Sequence, residues 1–201
     1  MPVPNSKSIN LLPKSVRKLL NWLQFWRGLG MLFLALCVCM LLMPLRLTGL
    51  AIGDIAPNWL LIWLVSFSLN RPVVVATIMG MAIGLVHDAL TIPQELTASV
   101  PSHVWGMVLI SGLTALLQKQ RYLREDFISV ALIVFGMTVI AETAIAIQWS
   151  FLSFTGKYDL GQIWTQQQRI ALVSALVSGL WAPVLHFPLT RLRIPQLDNR
   201  P

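Results

Sequence analysis

The stretch 127–152 carries a single ionisable side chain, Glu142, in an otherwise apolar run. A helix of about 20 residues, rising 1.5 Å per residue, spans the ~30 Å hydrocarbon core of a bilayer, so a run of this length fits a crossing. It is one of six apolar runs separated by short polar connections: 28–45, 57–70, 72–92, 101–118, 127–152 and 170–189. Such a chain has too little polar material to cover a soluble fold. Of 201 residues, 56% are hydrophobic and 11% charged, where a soluble domain carries about 25% charged residues. The sequence therefore predicts an all-α integral membrane bundle of about six transmembrane helices. Pro72 and Pro101 open the third and fourth runs, a position where the missing N–H costs nothing. The second run is the short one. Its fourteen residues reach only about 21 Å, which predicts a short or partly re-entrant span unless it begins as early as Leu50.

Ahead of the first run, Val16, Leu19, Leu20, Leu23 and Trp26 recur at helical spacing with Lys14, Arg17 and Lys18 between them. That pattern predicts a basic amphipathic helix lying on the membrane and leading into the first span. A cleaved signal peptide fits less well, because the run from Gly28 to Leu45 is long and no small-x-small site precedes Arg46. The expected organisation is a tail with an interfacial helix over 1–27, a six-helix membrane domain over 28–190 and a basic tail over 191–201.

Loop charge predicts the orientation. With six spans and both termini in the cytoplasm, only Arg46, Lys157 and Arg169 of the 15 Lys and Arg residues fall outside, as the positive-inside rule requires. The net charge of +7 is thus spread over the ends of apolar runs, whereas a nucleic-acid binder clusters its basic residues on one soluble face. Cys37 and Cys39 sit two apart inside the first run, point to different sides of a helix and suit neither a metal site nor a redox pair.

Two kinds of residue stand out within the runs. Small residues at four-residue spacing, Ala76, Gly80 and Gly84, share a face of the third helix, and Gly80 and Gly84 form a G-x-x-x-G that admits close helix approach. A second stripe, Ala171, Ala175 and Gly179 in the sixth helix, is the expected packing partner. The polar residues are Asn58 at the start of the second run, His87 and Asp88 at the end of the third, and Glu142 in the fifth. Asn58, His87 and Asp88 fall on one side of the membrane and Glu142 in the same half, so a polar cluster of the four is geometrically open. An intramembrane carboxylate is costly unless paired, protonated or hydrated. No H-E-x-x-H, phosphate-binding loop or G-x-S-x-G occurs. His87, His103 and His186 read as separate groups near span ends. The sequence points to no catalytic residue, no cofactor and no metal.

Pro57-Asn58-Trp59-Leu60-Leu61-Ile62, followed by Gly80-Met81-Ala82-Ile83-Gly84-Leu85-Val86-His87-Asp88, resembles the MreD rod-shape-determining family over about residues 29–192. Members of that family show Pro-Asn or Pro-Asp opening the second helix and a Gly-rich third helix ending in Gly-x-x-x-Asp. Past the Asp this chain reads Ala89-Leu90-Thr91-Ile92-Pro93-Gln94-Glu95, departing from the family's short Ser/Gly-rich turn. The resemblance implies a multi-pass protein of the bacterial inner membrane. Its implied role is a non-catalytic scaffold binding an MreC-like single-span partner and acting, through it, with MreB, RodA and a penicillin-binding protein in lateral peptidoglycan synthesis. The family is also similar to substrate-binding subunits of energy-coupling-factor transporters, which makes a vitamin-type binding subunit the alternative expectation.

Overall fold

The computed structural model describes residues 14–43, 55–69, 71–91, 100–119, 126–153 and 160–191. They form six helices: α1 (Lys14–Leu42), α2 (Trp59–Ser68), α3 (Val73–Thr91), α4 (His103–Lys119), α5 (Phe127–Ser153) and α6 (Leu160–Arg191). Each answers to one of the six apolar runs. Three of them, α3, α5 and most of α6, are long and apolar enough to cross a membrane, while Trp26–Leu42, α2 and His103–Leu117 are shorter apolar helices. Residues 1–13 and the tail from 192 onward lie outside the described residues, as does the inter-span segment holding Arg46.

α1 is continuous through residue 27. The basic amphipathic segment and the first apolar run form one helix, with Pro13 and Pro44 flanking it in sequence and no proline between. At the other end of the chain, α6 extends ten residues ahead of the predicted 170 start and tolerates Pro183 and Pro188 inside it. Proline is accepted in apolar helices where neighbours re-satisfy the freed backbone groups.

α2 is the centre of the bundle. Its sequence, WLLIWLVSFS, is apolar all round, and nine of its ten residues are buried, as expected of a helix enclosed on every side. It touches α1, α3, α4, α5 and α6. Ten residues rise only about 15 Å, half of a hydrocarbon core. The short second run therefore folds into a helix shorter than a full crossing and enclosed by protein. Its approach is non-helical over 56–58, a backbone form tolerated at membrane depth only where protein supplies the hydrogen bonds. Asn58 does this in both directions. Its side chain caps α2 by accepting from the Leu61 N–H at 3.0 Å, and its own N–H donates to Ser178 Oγ of α6 at 3.0 Å.

The remaining helices pack as antiparallel neighbours. Along α3 the contacts climb while those on α4 descend. Gly112 faces Thr77, Gly80 faces Ser111 and Met107, and Gly84 faces Val104. A Cβ on Gly80 would come within 2.6 Å of the Met107 carbonyl oxygen, and one on Gly84 within 2.5 Å of Val104 Cα. The G-x-x-x-G stripe thus packs on α4. The expected pairing with the Ala171, Ala175 and Gly179 stripe is wrong: Gly179 lies against Ala131 and Phe135 of α5, and Ala171 and Ala175 are buried on the same helix. The reason is connectivity. Short connections favour pairing of sequential helices, and α4 brings small residues of its own, with Gly112 against α3 and Gly106 against Ala141 of α5. Parts of the outer surface are apolar: Leu172, Leu176, Leu180 and Val184 form an exposed stripe down α6, and Val74, Ile78, Met81 and Leu85 are exposed on α3. Lipid tails solvate such faces, and water does not.

Candidate functional site

Among the described residues, a dense polar arrangement lies where α3 ends and α4 begins. Pro101 and Ser102 lead into α4, whose first N–H groups have no acceptor within the helix and need outside ones. Asp88, in the last turn of α3, provides one. Its Oδ1 accepts the His103 N–H at 2.9 Å and lies 2.7 Å from His103 Nδ1, while Oδ2 accepts from Ser102 Oγ at 2.6 Å. An anionic cap at a helix N-terminus is also favoured by the helix dipole.

The Ser102 hydroxyl in turn accepts from the Val104 N–H at 3.2 Å. The peptide groups of Ser102 are held from α5: its N–H donates to Gln148 Oε1 at 3.0 Å, and its carbonyl accepts from Gln148 Nε2 at 3.0 Å. The Gln148 amide therefore grips both polar backbone atoms of one residue. Asp88, Ser102 and Gln148 join three helices at one level.

His87 completes the group. It is only 6% exposed, and its ring lies 4.1 Å from that of His103, centroid to centroid, with planes tilted by 38°. Thr91 Oγ1 donates to the His87 carbonyl at 2.7 Å and stands 3.4 Å from His87 Nδ1. His87 and Asp88 point in different directions from α3, as adjacent helical residues must, yet both reach His103 from the facing helix. The histidines are accordingly not isolated surface groups: two are in contact, and His186 is buried in α6. One donor atom each from His87, Asp88 and His103 lie within 4.8 Å of one another.

The other two expected members of the cluster lie elsewhere. The bonds of Asn58 run to Leu61 and Ser178. Glu142 is paired on α6, where Gln167 Nε2 donates to its Oε2 at 2.8 Å. Beside that pair a cavity of about 290 Å³ opens between α5 and α6, lined by Thr143, Trp164, Gln167 and Gln168 among others. The predicted cluster of four resolves into three sites, each tying different helices. His103, Ser102, Gln148, Gln167 and Ser178 are functional neighbours that the sequence reading did not assign. For Ser102 a local signal existed, since Pro-Ser ahead of an apolar run is a helix-start pattern. The others are held by contacts more than twenty residues away in sequence, save His103.

Chemically, the junction joins a carboxylate to an imidazole, but Ser102 Oγ donates to Asp88. A hydroxyl prepared for attack would donate to a ring nitrogen.

No family model, curated protein or solved structure matches this chain.

Proposed function

We propose that this chain is a non-catalytic membrane scaffold of the bacterial cell-elongation machinery, an MreD-like subunit that binds an MreC-like single-span protein. In this reading all six helices belong to the membrane domain, the second to partial depth, both termini are cytoplasmic, and the bundle sits in the inner membrane. MreB, RodA and a penicillin-binding protein are reached through the partner. The observation that carries the reading is the use made of the residues that bear the resemblance. Asn58 caps the central helix and reaches α6. Gly80 and Gly84 bring α4 against α3. Asp88 caps α4. These are framework tasks, which suit a protein whose product is a rigid surface for assembly. The charge distribution of the sequence supports the orientation.

The test is depletion combined with capture. Loss of the protein is expected to give rounded cells with failed lateral wall growth, and mild-detergent purification is expected to bring down a single-span protein with a periplasmic coiled coil. Normal shape on depletion together with no such partner would overturn the reading. A small-molecule uptake defect in cells of normal shape would replace it with the transporter-subunit alternative.

A further inference from the structure

We propose that His87, Asp88 and His103 form a binding site for a first-row divalent cation of the zinc type, clamping the last turn of α3 to the first turn of α4. The inference goes beyond the scaffold reading and does not depend on it.

Three observations converge. The donor set is two imidazoles and one carboxylate, each offering an atom within 4.8 Å of the others. Zn–N and Zn–O bonds of about 2.0–2.1 Å place the ligand atoms of a tetrahedral site roughly 3.3 Å apart. The 2.7 Å from His103 Nδ1 to Asp88 Oδ1 is a hydrogen bond shorter than that spacing, so a cation can replace the proton between them with a widening of about 0.6 Å.

The second observation is the outer shell. Metal-binding carboxylates and imidazoles are held by further hydrogen bonds that fix their direction. Asp88 Oδ2 accepts from Ser102 Oγ, Ser102 is gripped by Gln148, and Thr91 lies against His87. The third is the environment. His87 is buried and packs its ring on that of His103, while the His103 and Asp88 side chains keep 24% and 16% of their surface exposed. The site is thus walled on one side and reachable on the other. Three protein ligands leave a fourth position for water or an incoming ligand, as in open zinc sites. Two nitrogens and one oxygen favour zinc, nickel or cobalt over magnesium or calcium, which take oxygen ligands.

The experiment uses the full chain, purified in detergent without a polyhistidine tag and stripped with a chelator. Zn²⁺ is titrated in competition with a chromogenic chelator, and Co²⁺ is used as a spectroscopic probe. One Zn²⁺ per chain is expected, with binding weakened at least tenfold in His87→Gln and in His103→Gln. Ser102→Ala, which leaves all three ligands in place, is expected to lose roughly tenfold, as a residue that positions a ligand. Co²⁺ bound to the unmutated chain should give the intense visible bands of a four-coordinate site. That readout needs no variant and so survives if the substituted chains fail to fold. Absence of stoichiometric Zn²⁺, a Co²⁺ spectrum like that of the hydrated ion, or equal Zn²⁺ binding by folded His87→Gln and His103→Gln variants would overturn the proposal.

Discussion

Asp88, in the last turn of α3, accepts the backbone N–H of His103 at 2.9 Å, so one helix ends by capping the next. The same carboxylate also meets the His103 ring and the Ser102 hydroxyl. Asp88→Ala removes all of these and leaves the start of α4 without its acceptor. A lost cap costs about 0.5–2 kcal/mol and a lost hydrogen bond to a charged group about 1.5–3, the two overlapping here. A destabilisation of about 2–3 kcal/mol is expected, with Asp88→Asn costing about 1 because an amide oxygen still accepts. Reversible unfolding in mixed micelles measures both. Unchanged stability in both variants would show that the charge and the cap contribute nothing.

Glycine positions give a contrast within one protein. At Gly84 an added Cβ would stand 2.5 Å from Val104 Cα, and at Gly80 2.6 Å from the Met107 carbonyl oxygen, so backbone must move. At Gly30 and Gly136 nothing lies within 4 Å of the added carbon. Gly84→Ala and Gly80→Ala are expected to lose about 1–3 kcal/mol by overpacking. Gly136→Ala is expected to be neutral or to gain up to about 1 kcal/mol from helix propensity. Folded yield and melting temperature separate the pairs. A harmless Gly84→Ala would mean that α3 and α4 do not approach as closely as described.

The sequence made the six elements legible because apolar runs and prolines act locally: Pro72 and Pro101 precede α3 and α4, and the bounds of α3 and α5 fall within a residue or two of the runs. The face of α3 was legible too, since four-residue spacing places Ala76, Gly80 and Gly84 together. What periodicity does not encode is the partner. The stripe met Met107, Ser111 and Val104 of the adjacent helix, and nothing in the spacing distinguishes that helix from α6. The polar cluster failed for a related reason. Depth alone grouped Asn58, Asp88 and Glu142, but each is satisfied by a side chain or backbone group on another helix, through Ser178, His103 and Gln167.

Glu142 and Gln167 form the one link of this kind between α5 and α6 among the described hydrogen bonds to Glu142. Glu142→Gln keeps an acceptor oxygen opposite the Gln167 amide, so a change below about 1 kcal/mol is expected. Glu142→Ala leaves that amide only the backbone carbonyl of residue 142, at 3.4 Å, and is expected to cost about 1–2 kcal/mol. A Glu142→Gln variant as unstable as Glu142→Ala would show that the charge itself is required.

The final prediction concerns two residues that hold a third between them. Asp88 holds the hydroxyl of Ser102 and Gln148 holds its peptide groups, so each fixes Ser102 for the other. Removing Gln148 alone, as Gln148→Ala, loses two hydrogen bonds at about 0.5–1.5 kcal/mol each. It also frees Ser102 to turn away from Asp88. Once Asp88 is replaced by alanine, there is less order for Gln148 to protect. The two substitutions are therefore expected to be less costly together than the sum of each alone, with an interaction of about 0.5–1.5 kcal/mol in a double-mutant cycle. The control is Asn58→Ala with Asp88→Ala. Asn58 bonds to Leu61 and Ser178 and shares no partner with Asp88, so those costs are expected to add within about 0.5 kcal/mol. Additivity in the Gln148 cycle would show that Ser102 stays in place without either neighbour, and that the junction of α3, α4 and α5 is held by apolar packing alone.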